Sequence, residues 1–213
     1  MEKSIANIRK DYKLHSLDES TADNDPYKQF SNWWNEALNS QITEVNAMTL
    51  ATVNKEGWPS ARIVLLKGFD ENGFVFFTNY NSRKGKDLEH SNKAALVFFW
   101  KELERQVRIE GTVEKTSPIE SDIYYHSRPE GSRIGAWASP QSEVIINRQM
   151  LEEKVKRLTE NFLKTGIERP YFWGGYRLKP NTIEFWQGRP SRLHDRLRYS
   201  FQNAEWKIER LAP

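Results

Sequence analysis

The chain contains no cysteine, which removes disulfides, thiolate nucleophiles and thiolate metal sites from consideration. Its four histidines, at positions 15, 90, 126 and 194, are too scattered for metal-ligand spacing, so no metal is expected. No apolar run is long enough to span a bilayer, and the opening MEKSIANIRKDYKLHS lacks the apolar stretch of a secretory signal. A soluble, cytoplasmic protein without a membrane partner is the expectation. Neither a G-x-G-x-x-G after a strand nor a G-x-x-x-x-G-K-[ST] occurs, which excludes both common glycine-rich phosphate cradles. An excess of one charge is missing too. With 32 basic and 29 acidic residues the net charge is +3, too balanced for a dedicated nucleic-acid binder.

What the chain does have is aromatic surface: 13% aromatic residues, eight of them tryptophan, a density that suits a ring-binding site or a large subunit interface. Residues 1–25 are polar and charged and read as a mobile N-terminal arm; 26–213 read as a single domain. Asp25 and Pro26 open a predicted helix with Phe30, Trp33, Trp34, Ala37 and Leu38 on one face. From Ala47 to Thr116 the period becomes that of strands, MTLATVN, SARIVLLKGF, GFVFFTNY, AALVFFW and RQVRIEGTVEKT, interrupted by a short helix in SRKGKDLEHSN. A helical region follows, with a stop at Arg128–Pro129 and a long helix near 147–164 whose Met150, Leu151, Val155, Leu158 and Phe162 sit at core spacing. Strands resume at FWGGYRLKP, NTIEFWQG, SRLHDRLRYS and AEWKIERL. This order predicts an α+β fold on an antiparallel barrel rather than βαβ units.

Candidate functional residues are basic or hydroxyl-bearing and sit at strand ends and helix starts. RPSRLHDRLR, 189–198, holds four arginines and no lysine, a composition for geometric recognition of small anions or planar rings; a solvated basic strand is the alternative. Arg62 and Lys67 are five apart, so a regular strand puts them on opposite faces, serving separate anions. Arg83 and Lys84 fall in the first turn of the short helix. Cations there oppose the macrodipole unless an anion joins them or they turn to solvent. Tyr124 and Arg128 stack on one helical face, with Ser132 just past the proline turn, making a second phosphate pocket. Two anion pockets and abundant tryptophan point to two phosphorylated planar molecules held together.

The blocks RIVLLK, FTNYNSRKGKDL, RQVRIEG, YYHSRPEGSRIGAW, PQS, FWGGYRL, IEFWQG, RLHDR and WKIERLAP, in that order, resemble the pyridoxine/pyridoxamine 5′-phosphate oxidase family from about Ile8 to the C-terminus. The resemblance implies a homodimeric FMN-binding split β-barrel with peripheral helices and active sites at the subunit interface. It implies FMN-dependent oxidation of pyridoxine 5′-phosphate and pyridoxamine 5′-phosphate to pyridoxal 5′-phosphate, with O2 as acceptor. FMN contacts would come from Arg62, Ile63, Val64, Leu65, Phe77, Thr78, Arg83 and Lys84, with Gln106, Gln141, Ser142, Trp186 and Arg196 completing the set. Lys67, Tyr124, Arg128 and Ser132 match the positions that hold the substrate phosphate. Arg192 and His194 match those set against the pyridine ring, as catalytic and substrate-binding residues. On a regular strand these two project to one face, with Arg196 on the same side. Arg9 and Tyr12 match a mobile segment that covers bound substrate. One departure stands out, because many relatives carry tyrosine where this chain has Phe77. A non-catalytic flavin-binding protein and a nucleic-acid module are the rival readings; the intact substrate set opposes the first, and the second requires steeply salt-dependent binding.

Overall fold

The computed structural model describes residues 4–7 and 10–213. Five α-helices occupy these residues: α1 (Pro26–Leu38), α2 (Arg83–His90), α3 (Pro118–Ser127), α4 (Glu130–Ala138) and α5 (Arg148–Thr165). The strands are β1 (Ala47–Val53), β2 (Pro59–Leu65), β3 (Gly68–Asp70), β4 (Gly73–Asn79), β5 (Lys93–Trp100), β6 (Arg105–Lys115), β7 (Trp173–Gln187), β8 (Asp195–Gln202) and β9 (Glu205–Arg210). They form one sheet in the order β2-β1-β5-β6-β7-β4-β3, with β8 also on β7 and β9 on β8. The pairs β3–β4, β4–β7, β7–β8 and β8–β9 are antiparallel. The expected α+β class with an antiparallel barrel-type sheet is observed.

The chain divides into two compact units. The first takes the N-terminal part through Leu50, Ala95–Gly111 and Pro180–Pro213; the second takes Ala51–Ala94 and Thr112–Lys179.

The core of the first unit is aromatic. Asp25 caps α1 by accepting from the Tyr27 amide at 2.8 Å, and Pro26 supplies a preset φ at the first helical position. Phe30, Trp33 and Ala37 then recur on one face and are buried, while Trp34 is half-buried and Leu38 emerges into solvent. Phe30 meets Phe98 at 5.3 Å and Trp100 at 6.0 Å; Trp33 stands edge-on to Phe185 at 5.2 Å. Each such ring removed from water contributes roughly 1.5–3 kcal/mol. Arg105 lies 4.3 Å over Trp33, with its donors on Glu36 and Gln187. From Lys10 onward the N-terminal segment joins this unit. Leu17 is buried, its amide donates to Asp195, and Arg210 holds Glu19.

In the second unit β4 is buried almost throughout, as a strand packed on both faces must be. Its edge partners depart from the sequence reading. The expected single strand through Lys67 breaks at Leu66–Lys67, and β3 begins only at Gly68. FWGGYRLKP and NTIEFWQG are not two strands but one, β7, which runs through Pro180. The proline turn after α3 leads straight into α4 rather than a loop, so Ser132 is helical and Arg128 is an extended capping residue outside the helix. α5 forms as expected, yet none of its apolar positions is buried; Met150 and Val155 are exposed. Periodicity predicted the helix correctly and its burial wrongly.

Candidate functional site

The second unit encloses a cavity of about 680 Å³. Among the described residues four cations line it, Arg62, Lys67, Lys84 and Arg128, and no carboxylate does. Ile63, Val64, Leu65, Phe77, Thr78, Tyr124, Ser132 and Gln141 line it as well, so both expected phosphate sets in this unit face one space. The opposite-face expectation for Arg62 and Lys67 therefore fails. It assumed strand regularity that ends at Leu65; Lys67 lies beyond that break, and both residues line the one cavity.

The cations fall into two groups. In the first, Arg62 donates to Thr52 Oγ1 at 2.7 Å and Ser60 Oγ at 2.6 Å, with Asp87 Oδ2 at 3.8 Å. Asp87 is itself buried and accepts from Thr52 at 2.7 Å, so the guanidinium is fixed by a short relay. Lys84 extends from the first turn of α2 to Thr78 Oγ1, Gln141 Oε1 and Ser82 Oγ, at 3.3, 3.2 and 3.5 Å. Burial lowers its pKa, and the nearby charge of Arg62 lowers it further. Burial likewise lowers that of Arg62, against the pull of Asp87. An anion would relieve both. The helix start is held by Ser82, whose hydroxyl accepts from the Gly85 amide. Gly85 is required because a Cβ there would lie 2.0 Å from the Tyr80 carbonyl oxygen. Arg83 points elsewhere, into a second cavity of about 500 Å³ that it shares with Ser142 and Gln141.

In the second group, Tyr124 stacks on Phe77 with centroids 4.0 Å apart, and Phe77 stacks on Trp173 at 5.6 Å. Lys67 lies 5.7 Å over Tyr124, and Arg128 lies 4.5 Å over Trp173. Arg128 Nη1 is buried with no hydrogen-bond partner among the described residues. Burial lowers the Arg128 pKa while the two neighbouring tyrosines raise it. An unpaired buried guanidinium N–H costs free energy, and a phosphate oxygen is a natural acceptor for it.

The first unit carries the remaining candidates. Trp186 is half-buried near the end of β7, with His194 at 4.6 Å and Tyr12 edge-on at 5.8 Å. Gly188 lets Tyr12 come this close, since a Cβ would meet the Tyr12 ring at 2.7 Å. The expected shared strand face for Arg192 and His194 is not formed. Pro190–Arg192 is a 3₁₀ turn in which Ser191 and Arg192 take left-handed backbone, and β8 starts only at Asp195. His194 Nδ1 instead accepts from the Arg189 amide at 3.0 Å. Burial and Arg192 lower its pKa, against Asp195. Arg196 does lie on β8, and Glu184 grips it with two bonds of 2.8 and 3.1 Å. Gln106 is half-buried on β6. Arg9 lies outside the described residues.

Several contributors escaped the sequence reading. Thr52, Ser60 and Asp87, which fix Arg62, are ordinary strand and helix residues with no local signal. Trp173, at the start of β7, is the surface on which Arg128 rests.

Comparison with known proteins covers nearly the whole chain. A family model described as pyridoxamine 5′-phosphate oxidase matches residues 34–162. A second, described as the pyridoxine 5′-phosphate oxidase C-terminal dimerisation region, matches residues 173–213. The pyridoxine/pyridoxamine 5′-phosphate oxidase of Burkholderia thailandensis is 58% identical over 213 residues, 99% of either chain. That of Cyanothece sp. is 56% identical over 210 residues, again 99% of either chain. Among solved structures, PhzG from Burkholderia lata, bound to tetrahydrophenazine-1-carboxylic acid, has a TM-score of 0.88 at 29% identity, covering 94% of this chain and 99% of that one. A pyridoxamine 5′-phosphate oxidase-related, FMN binding protein from Nostoc punctiforme shares the fold, with a TM-score of 0.69 at 18% identity over 89% of this chain and 98% of its own.

Proposed function

The chain belongs to the pyridoxamine 5′-phosphate oxidase family, and from that premise we propose that it oxidises pyridoxine 5′-phosphate and pyridoxamine 5′-phosphate to pyridoxal 5′-phosphate. FMN is the cofactor, O2 the final acceptor, and the working form a cytoplasmic homodimer with active sites at the subunit interface. The observation that carries the reading is the buried Nη1 of Arg128, unpartnered among the described residues, in a cavity that those residues line with four cations and no carboxylate. A site of that composition is built for a dianion.

The residues present fit a phosphorylated flavin. Arg62 and Lys84 would hold its phosphate with Thr78, and Gln141 is within reach of Lys84. Ile63, Val64, Leu65 and Phe77 would line the rest, with Arg83, Ser142, Gln106, Trp186 and Arg196 as the further contacts. When bound, FMN supplies a two-electron acceptor that O2 restores with release of hydrogen peroxide. The substrate phosphate is taken by Lys67, Tyr124, Arg128 and Ser132, whose ammonium, guanidinium and hydroxyl donors bind it from different directions. Tyr12, with Arg9, covers the substrate and excludes water. Arg192 positions the pyridine ring through its planar fork of donors. His194 has Nδ1 committed to the Arg189 amide, so the neutral ring holds its proton at Nε2 and donates to the substrate from there. Oxidation at C4′ removes two electrons and two protons; with the amine, water then releases ammonia.

The test is the visible spectrum of the purified protein, before and after pyridoxamine 5′-phosphate is added without oxygen. Bleaching of a flavin spectrum is expected. A flavin spectrum that persists would favour a non-catalytic flavin protein or another substrate, and a colourless protein that takes up no FMN would overturn the reading.

A further inference from the structure

We propose that Glu104 anchors the N-terminal segment, and thereby holds Tyr12 in place against Trp186 and His194 as a positioning residue for the substrate pocket. All the groups concerned belong to the first unit. The Glu104 side chain is 2% exposed. Its Oε2 accepts from the backbone amides of Lys13 at 2.8 Å and Leu14 at 3.2 Å, and its Oε1 lies 3.3 Å from Lys10 Nζ. These three donors flank Tyr12 in sequence and converge on one carboxylate about 90 residues away.

The backbone of the same residue grips the other side of the pocket. The Glu104 carbonyl accepts from the Gly188 amide at 2.7 Å and from Gln187 Nε2 at 3.2 Å. Gly188 is the residue whose missing side chain admits the Tyr12 ring. One amino acid therefore ties the segment carrying Tyr12 to the end of the strand carrying Trp186. It does so in a left-handed conformation, φ 54°, that a glutamate adopts only under constraint. Burial pushes the carboxyl upward, but the Leu14 and Lys13 amides and Lys10 outweigh it and hold the group below the usual carboxylate range. It is charged wherever the protein operates near neutral pH.

Glycine is the informative replacement, because it removes the carboxylate while suiting the backbone. In Glu104→Gly, trypsin should cut after Lys10 and Lys13 at least tenfold faster than in the wild type, a readout independent of any activity. Resting on the function proposed above, the KM for pyridoxamine 5′-phosphate should rise about tenfold, with kcat and FMN affinity changed less than twofold. Glu104→Gln, which keeps an acceptor for the amides, should recover most of both effects. In a Tyr12→Ala background, Glu104→Gly should add less than twofold to KM. Unchanged trypsin cleavage in Glu104→Gly would overturn the anchor, as would a KM effect undiminished without Tyr12. A wild-type protein with no turnover would overturn the function alone, and the cleavage rates would still decide the anchor.

Discussion

Replacing Arg128 by methionine should make the ligand-free protein slightly more stable and the ligand-bound protein much weaker. The guanidinium is held 4.5 Å over Trp173, with Nη1 buried and unpartnered among the described residues. Removing an unsatisfied buried donor returns about 1–3 kcal/mol. Losing the cation–π contact costs about 0.5–2 kcal/mol, of which a methionine sulfur over the same ring restores about 0.3–1.5 kcal/mol. The balance is a gain near 1 kcal/mol, or roughly 2–4 °C in Tm for a chain of this size. With a phosphate in place the sign reverses, because charge-assisted bonds worth about 1.5–3 kcal/mol vanish, weakening binding roughly tenfold to 150-fold. Thermal unfolding with and without saturating pyridoxal 5′-phosphate, together with KM for pyridoxamine 5′-phosphate, reads both halves. A variant that melts several degrees lower without ligand and keeps its KM would refute the reasoning and make Arg128 a structural residue.

Further expectations follow from the same geometry. Gly85→Ala drives a Cβ to within 2.0 Å of the Tyr80 carbonyl oxygen, so the start of α2 must move. It should cost about 2–3 kcal/mol in a denaturant titration and weaken FMN uptake through displaced Lys84; an unchanged midpoint would refute the packing argument. Glu184→Ala leaves Arg196 and Arg108 without their shared buried carboxylate. A loss of about 2–4 kcal/mol is expected, toward the lower side because both arginines reach solvent. His194 has a folded-state pKa below its unfolded value, so the unfolded chain binds more protons between the two. Its contribution is present above the unfolded histidine's ordinary value of about 6.5 and is lost as pH falls through the folded pKa. His194→Asn should therefore flatten the fall in Tm with acidification below about pH 6.5; an unaltered slope would count against the shift.

Local chemistry was legible where it closed on itself. Asp25 before Pro26, and Ser82 before a polar helical run, are complete start signals whose partners lie within three residues. Patterns that relied on a regular repeat continuing failed at the site. Lys67 left the strand of Arg62, and Ser191 with Arg192 turned left-handed where alternation was expected. Sequence parity holds only while φ and ψ repeat, and a cavity needs strands to stop. The helix at Arg148–Thr165 shows the converse limit, since an apolar period says which face is apolar and not what covers it. Glu104 was invisible for a third reason. In KELER it reads as one more solvated charge, and its donors are about 90 residues away.

The cation-lined cavity has a practical consequence at the bench. Among the described residues the cavity lining supplies no carboxylate, and Asp87 behind it faces only Arg62, so inorganic phosphate and sulfate should compete with the phosphates of the proposed substrate and cofactor. Apparent KM values should climb linearly with the concentration of a phosphate buffer and stay level in an amine sulfonate buffer of equal ionic strength. The same ions will register as stabilisers in a thermal-shift screen, since whatever binds only the folded chain raises its melting point. A buffer chosen for shelf life would then be an inhibitor in the assay.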